Sequence, residues 1–333
     1  MSALAATLPE LSVRPMSDFR SYLEQSIRNP FVLDLSDRTL MEVILAAKRA
    51  KSKLHPNYGK NIASLIHNVR KLEEQYNVTL MPVQVTDVFW GYFTDFCQQN
   101  GLKLSSITTM CWQLRSILNW ACKYNAKISP TYNDVSFKRS DNQEIALSAD
   151  DISRIAYFDV DLYYSDRRKD YRDTMKRVRD LFVLSCNLAQ RHSDMVRVDK
   201  SCFDRNIFTI YQQKTGSRAV VNIDLYSIDA KTTYRILERY NYEAPYKGNL
   251  RNYNKKLHEL MRDIGFTEEV RLEDRYGGKI VTRLVPKWSL IASHTARRSF
   301  ATINVQRGNN VHAIKRCTGH SDLRVLERYV RDE

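Results

Sequence analysis

Between residues 36 and 128 the apolar positions recur at three- and four-residue steps. Ile62, Leu65, Ile66, Val69 and Leu72 form one stripe, Val88, Phe89, Tyr92, Phe93 and Phe96 a second, and Leu114, Ile117, Leu118 and Ala121 a third. Steps of that size put each set on one side of a helix, so the segment predicts amphipathic helices whose stripes meet in a small bundle. Residues 1–35 show no sustained period and are expected to be an extension. From residue 129 to 147 the periodicity fails in a polar stretch, Ser129-Pro130-Thr131-Tyr132-Asn133-Asp134 and on through Lys138-Arg139-Ser140-Asp141-Asn142. That composition predicts a linker between two domains.

A second domain is expected over residues 148–333. Ser148 stands where it can cap a helix whose first turn carries Asp150 and Asp151, acids that the positive end of the helix dipole favours. A helix is predicted through Met175 to Leu188, and another starting after Arg191. The period then drops to two. Ile207-Phe208-Thr209-Ile210-Tyr211 and Ala219-Val220-Val221-Asn222-Ile223 flank Lys214-Thr215-Gly216-Ser217, a hairpin with a glycine turn. A second hairpin brackets Tyr276-Gly277-Gly278-Lys279. Helices return from Ser293, read as an N-cap with His294 in the first helical position. Gly308 ends that helix, a short one runs from Val311 to Gly319, and Leu323, Leu326 and Val330 supply an apolar seam with Tyr329 at its edge. The fold class is mainly α with small β-hairpins (α+β).

The chain of 333 residues, 43% of them hydrophobic, has material for two real cores, which makes disorder or a fibrous fold a poor fit. Its net charge of +14 is spread along the whole length, as suits a protein that wraps a polyanion, although many basic proteins never touch nucleic acid. The cysteines, Cys97, Cys111, Cys122, Cys186, Cys202 and Cys317, are isolated, with no CxxC and no zinc spacing, and read as buried thiols of a reducing compartment. No signal-peptide pattern and no apolar run of about 20 residues is present, so a soluble, cytoplasmic protein with no membrane partner is expected.

The chemistry concentrates near the C-terminus. His294 and Arg297 lie three apart, on one face of the predicted helix, where a phosphate would meet free backbone N–H groups, an imidazole and a guanidinium. Taken alone the pair equally fits surface groups on a capped helix. Arg298 points elsewhere, to a structural or backbone contact or to DNA. Gly319-His320 follows, and Tyr329 lies nine residues beyond His320; by itself such a tyrosine is as readily packing on the seam.

The combination HxxR, distal GH and late tyrosine resembles the C-terminal pattern of the tyrosine recombinase (phage integrase) family. Leu188-Ala189-Gln190-Arg191-His192-Ser193-Asp194 is similar to the family's first-arginine motif, and Gln213-Lys214-Thr215-Gly216 to its catalytic lysine turn. The run Ala296-Arg297-Arg298-Ser299-Phe300-Ala301-Thr302 is most similar to integrases of bacterial conjugative and mobilisable elements, and Ser116-Ile117-Leu118-Asn119-Trp120-Ala121 resembles the last helix of that group's core-binding domain. The resemblance covers roughly residues 35 to 333.

The resemblance implies a helical, SAM-like core-binding domain over 36–128 and a catalytic domain over 148–333, together a C-shaped clamp on double-stranded DNA. It implies Arg191, Lys214, His294, Arg297, His320 and Tyr329 as catalytic residues. Tyr329 would be the nucleophile that leaves a 3′-phosphotyrosine. Arg191 and Arg297 would clamp the non-bridging oxygens. Lys214 would protonate the leaving 5′-oxygen, or else be a surface lysine on phosphate. His294 would assist proton transfer at the tyrosine and His320 would hydrogen-bond a non-bridging oxygen. Asp194 would orient Arg191 or its helix, or is an ordinary surface acid. No cofactor and no metal is expected, because the arginines and the lysine supply the positive charge.

Lys48, Arg49, Lys51, Lys53 and Lys60 are dense enough for phosphate contacts, or form the solvated face of a helix. The expected partners are DNA, three further copies in a tetrameric synapse, and accessory DNA-bending proteins. About 35 residues precede the bundle and four follow Tyr329, so either a simple core site is recognised or an arm-binding segment lies outside this sequence. Two rivals share the pattern, a type IB topoisomerase and a non-catalytic DNA-binding regulator.

Overall fold

The computed structural model describes residues 33–137, 145–276 and 279–320, with backbone alone for 274–276, 279 and 280. The chain divides into two compact units, the first built on Met1–Asp141 and the second on Asn142–Glu273 with Val281–Glu333.

The first unit is a helical bundle of α1 (Leu40–Ser52), α2 (Tyr58–Asn61), α3 (Ala63–Tyr76), α4 (Asp87–Gln99) and α5 (Leu104–Ala121). Thr39 opens α1 with a capping box: its hydroxyl accepts from Glu42 N and the Glu42 carboxylate accepts from Thr39 N. The stripes of α3 and α5 are buried at all the expected positions. Helix α4 is rotated from expectation: it buries Trp90, Phe93, Phe96 and Cys97, while Val88 and Tyr92 are 59% and 72% exposed. Two apolar stripes compete on this helix, and the one bearing the indole wins because a partner is supplied for it. Trp90 Nε1 donates to Tyr132 O at 3.0 Å.

That partner comes from the stretch expected to be linker. Ser129 caps a 3₁₀ turn over Pro130–Asn133, Thr131 bonds Asp87, and Phe137 meets Trp90 and Trp112 edge-on at 5.1 and 5.8 Å. The buried Arg115 guanidinium stacks on Phe137 at 4.4 Å and donates to Val135 O. Up to Phe137 the chain is therefore packed onto the bundle.

The second unit surrounds α7 (Lys169–Leu188), a helix buried on every side from Val178 to Leu188. Against it pack α6 (Ala149–Tyr157), α9 (Ala230–Arg239), α10 (Leu250–Ile264) and α11 (Ser293–Gln306). Ser148 caps α6 with Asp151 in a reciprocal pair. The short α8 (His192–Met195) follows α7, then an antiparallel sheet of β1 (Phe203–Asp204), β2 (Ile207–Tyr211) and β3 (Arg218–Asn222). Phe208 pairs with Val221 and Ile210 with Ala219, and these four side chains face the core as the period of two requires. The strands β4 (Glu269–Tyr276) and β5 (Lys279–Pro286) form a second sheet, and α12 (Val311–Thr318) follows α11.

Two further expectations are corrected. Ser293 is the first residue of α11, not its cap: the cap position is Ala292, whose N–H donates to Thr295 Oγ1, while Asn254 Oδ1 takes the Ser293 N–H. Of the cysteines, Cys97, Cys111, Cys186 and Cys317 are buried, but Cys122, at the C-cap of α5, is exposed and Cys202, the last residue of a 3₁₀ turn, is half-buried. No described helix is long and apolar enough to cross a membrane.

Candidate active site

Helix α7 ends at Ala189, which adopts the left-handed conformation at φ 60° and turns the chain sharply into Gln190 and Arg191. The freed Ala189 carbonyl accepts from Arg297 Nη1 at 3.0 Å. One turn thus presents the first arginine and holds the second. Arg297 is 1% exposed, whereas Arg191, at the N-cap position of α8, is half-buried.

Arg191 Nη1 donates to Gln212 Oε1 at 2.7 Å. Gln212 opens the six-residue turn between β2 and β3 and is 1% exposed. Its Nε2 donates to Gln190 Oε1 at 2.9 Å and to Thr318 O at 2.7 Å, and Thr215 Oγ1 donates to its Oε1 at 3.1 Å. Gln190 Nε2 donates in turn to Leu188 O and Cys317 O. The segment bearing Arg191, the turn bearing Lys214 and the end of α12 therefore meet at two buried amides. Nothing in the sequence marks either glutamine out.

Gly319, at φ 63°, ends α12; a Cβ there would lie 2.6 Å from the Gln212 side chain, so the position requires glycine for space as well as conformation. His320 follows, its N–H reaching back to Lys315 O. Burial comes first, then the charges of Arg297, Arg191 and His294, in pushing the His320 imidazole down to about 3. The ring is neutral at pH 7, and these four side chains share one electrostatic neighbourhood. His320 Nδ1 is buried with no hydrogen-bond partner among the described residues.

The other expected positions differ in their surroundings. His294 is exposed on the first turn of α11. Lys214 is exposed at the hairpin turn. Asp194 is fully buried and its Oδ1 accepts from Gln213 N at 2.8 Å and from Arg197 Nη2 at 2.9 Å, so the carboxylate braces the turn that carries Lys214, and among the described residues it takes no hydrogen bond from the Arg191 side chain. Arg298, expected to make either a structural or backbone contact or a DNA contact, is 7% exposed and donates to the Ile145 backbone carbonyl at 2.8 Å, tying down the entry to α6, so the DNA reading is corrected in favour of the structural one. Tyr329 lies outside the described residues.

Sequence reasoning also passes over an open depression of about 750 Å³ beside His320, lined by Ser217, Arg218, His312, Lys315 and Arg316 among others. Its cations come from β3 and α12, elements too far apart in sequence to read as one patch.

In the bundle, Lys51 lies against the Tyr58 ring at 5.3 Å and its Nζ is partly desolvated, which lowers its pKa; the Lys48 stem packs over Gly59. Arg49, Lys53 and Lys60 are exposed.

No family model and no curated protein matches the sequence. Solved structures do. The integrase of the Tn1549 transposon, in complex with a circular intermediate DNA, superposes with a TM-score of 0.63 at 13% identity, over 87% of this chain and 94% of that one. A lambda integrase dimer bound to a COC′ core site gives 0.62 at 14% identity, over 89% and 96%. The XerH site-specific recombinase bound to its difH substrate gives 0.56 at 12% identity, over 97% and 87%. Identities this low speak to the fold, and over nearly its whole length this chain has the fold of the tyrosine recombinases.

Proposed function

We propose that this chain is a site-specific DNA recombinase that cuts and rejoins double-stranded DNA through a 3′-phosphotyrosine at Tyr329. What supports this reading is that the charges of Arg297, Arg191 and His294, from two other segments, all act on the His320 imidazole, with the Lys214 turn tied to Arg191 through Gln212. A half-buried and a buried guanidinium beside a neutral imidazole suit a phosphodiester whose negative charge grows in the transition state.

In the reaction, Tyr329 Oη attacks phosphorus in line. The bond from phosphorus to the tyrosine oxygen forms as the bond to the 5′-oxygen breaks. The phenolic proton leaves with help from His294, and Lys214 gives a proton to the departing 5′-oxygen. Arg191 and Arg297 offset the charge on the non-bridging oxygens, and His320 donates a hydrogen bond to one of them from its neutral ring. Because the phosphate ester is preserved in the covalent link, rejoining needs no ATP.

The DNA-bound state of the structurally similar integrases and of XerH supports double-stranded DNA as the partner. Residues 36–128 then act as a core-binding domain that grips the duplex together with the catalytic domain, with Arg49, Lys53 and Lys60 on phosphates. Four copies assemble on paired sites, with accessory DNA-bending proteins, to integrate or excise a mobile element in a bacterial cytoplasm.

The test is to incubate the protein in EDTA with supercoiled DNA from the neighbourhood of its coding sequence, denature, and look for a protein–DNA adduct. An adduct joined at the 3′ end in wild type and abolished in Tyr329→Phe, with DNA binding retained, is the expected result. Equal adduct in both proteins would refute the assignment of Tyr329. Exchange between two sites then separates a recombinase from an enzyme that only nicks and reseals.

A further inference from the structure

Gln212 has every hydrogen-bonding position of its amide engaged, and the partners fix which way round it lies. Reversed, its NH₂ would face the Arg191 guanidinium, donor against donor, and its oxygen would face the Thr318 carbonyl. Gln190 is similarly committed, with its NH₂ on Leu188 O and Cys317 O and its oxygen on Gln212. Both side chains are 0–1% exposed, so solvent cannot replace a broken bond.

The bonds span long separations along the chain. Thr318 is 106 residues from Gln212, and Cys317 is 127 residues from Gln190. Beside its local bonds to Leu188 O and from Thr215 Oγ1, the pair fastens the end of α12, immediately before Gly319-His320, to the turn carrying Lys214 and to the Arg191 guanidinium.

We infer that Gln212, supported by Gln190, is the positioning residue of this site: a buried two-amide bridge that holds Arg191, the Lys214 turn and His320 in register on one phosphodiester. This rests on the recombinase reading above for what the register is used for, but the bridge itself is testable without activity. The acceptor fixes the Arg191 guanidinium, and the two donors fix where that acceptor sits. Gly319 belongs to the same device, since any side chain there would displace the Gln212 amide.

Gln212→Met keeps the volume and removes every bond. On the supercoiled DNA described above, adduct formation from the bound complex is expected to fall about 10²-fold, the cost of a displacement of roughly 1 Å at a reacting centre, with DNA affinity nearly unchanged. Gln212→Glu keeps acceptors for Arg191 and Thr215 but removes both donors, and is expected to be equally slow. Gln190→Met, one step removed, should fall between these and wild type. A Gln212→Glu protein that cleaves at the wild-type rate would overturn the bridge, because it would reduce Gln212 to a simple acceptor.

The second readout is the His320 titration followed by NMR in the DNA-free protein. With Arg191 released its charge depresses the imidazole less, so the midpoint should rise in Gln212→Met, and should rise in Arg191→Ala as well. A midpoint that stays at the wild-type value in Gln212→Met, while Arg191→Ala moves it, would also overturn the proposal. Should wild type form no adduct at all, the enzyme reading fails, and the titration alone decides the bridge.

Discussion

The two regions that carry positive charge are built in opposite ways. In the second unit Arg297 is 1% exposed and held by the Ala189 carbonyl, and Arg191 is held by a buried amide. In the bundle Arg49, Lys53 and Lys60 are exposed on long side chains whose heads stand in solvent. Charges fixed by desolvated partners supply geometry, which a transition state requires. Charges on solvated stems supply attraction to a polyanion at little structural cost, because phosphate contacts tolerate movement. The difference teaches that a count of cations says little about function here, whereas the partner of each guanidinium says a good deal.

The sharpest way to break the comparison is Arg297→Met. It should lower adduct formation by about 10²–10³-fold, in line with removal of one fixed transition-state donor, and leave DNA affinity nearly intact. A gel-shift titration beside a single-turnover assay reads both. If affinity falls as much as rate, Arg297 is an ordinary phosphate ligand.

The complementary change, Arg49→Ala with Lys53→Ala and Lys60→Ala, should do the reverse. Affinity should weaken, and the slope of log K against log salt should become shallower by roughly 0.9 for each phosphate no longer neutralised, with the rate of the bound complex unchanged. An unchanged slope would assign these three to a solvated face.

A smaller effect is expected from pH. The His320 imidazole titrates near 3 in the folded chain against about 6.5 when unfolded. Between these values the unfolded state binds the extra proton, so stability should decline as pH falls from about 6.5 towards 3 and be flat above that window as far as this group is concerned. Urea midpoints at pH 5 and 7.5 measure it, and His320→Gln should remove this part of the slope.

The smallest change is Ala189→Gly. Relief of the left-handed conformation, about 1 kcal/mol, is offset by removal of a fully buried methyl, about 0.8 kcal/mol, so thermal unfolding should shift by only a degree or two. A large shift in either direction would mean that the turn holding both arginines is not set by Ala189 itself.

Much of this was legible along the chain because its physical cause is local. The stripes of α3 and α5 follow from residues one turn apart, Ser148 caps the turn it begins, and the hairpin around Gly216 follows from period-two strands and a glycine at φ 66°. Arg191 and His320 were visible because they sit at helix ends, and Arg297 because it follows His294 by three residues in the opening turns of α11. The rotation of α4 was not visible, because Trp90 and Tyr92 compete for the interior and the decision lies with Tyr132 O, 42 residues away. Arg298 and Arg297 look alike as adjacent cations; only packing sends one to Ile145 O and the other to Ala189 O.

By itself, then, the sequence determined a mainly helical chain with two small sheets, and which residues of its second half have the chemistry to meet a phosphate. Each of those properties depends on residues within a few positions of one another. Tertiary structure alone decided that the charges of Arg191, His294 and Arg297 act on His320, and that Gln190 and Gln212 bind Arg191 into that group. A glutamine carries no sequence sign of its partners: its role is set by which carbonyls and guanidinium the fold brings within about 3 Å in a place closed to water.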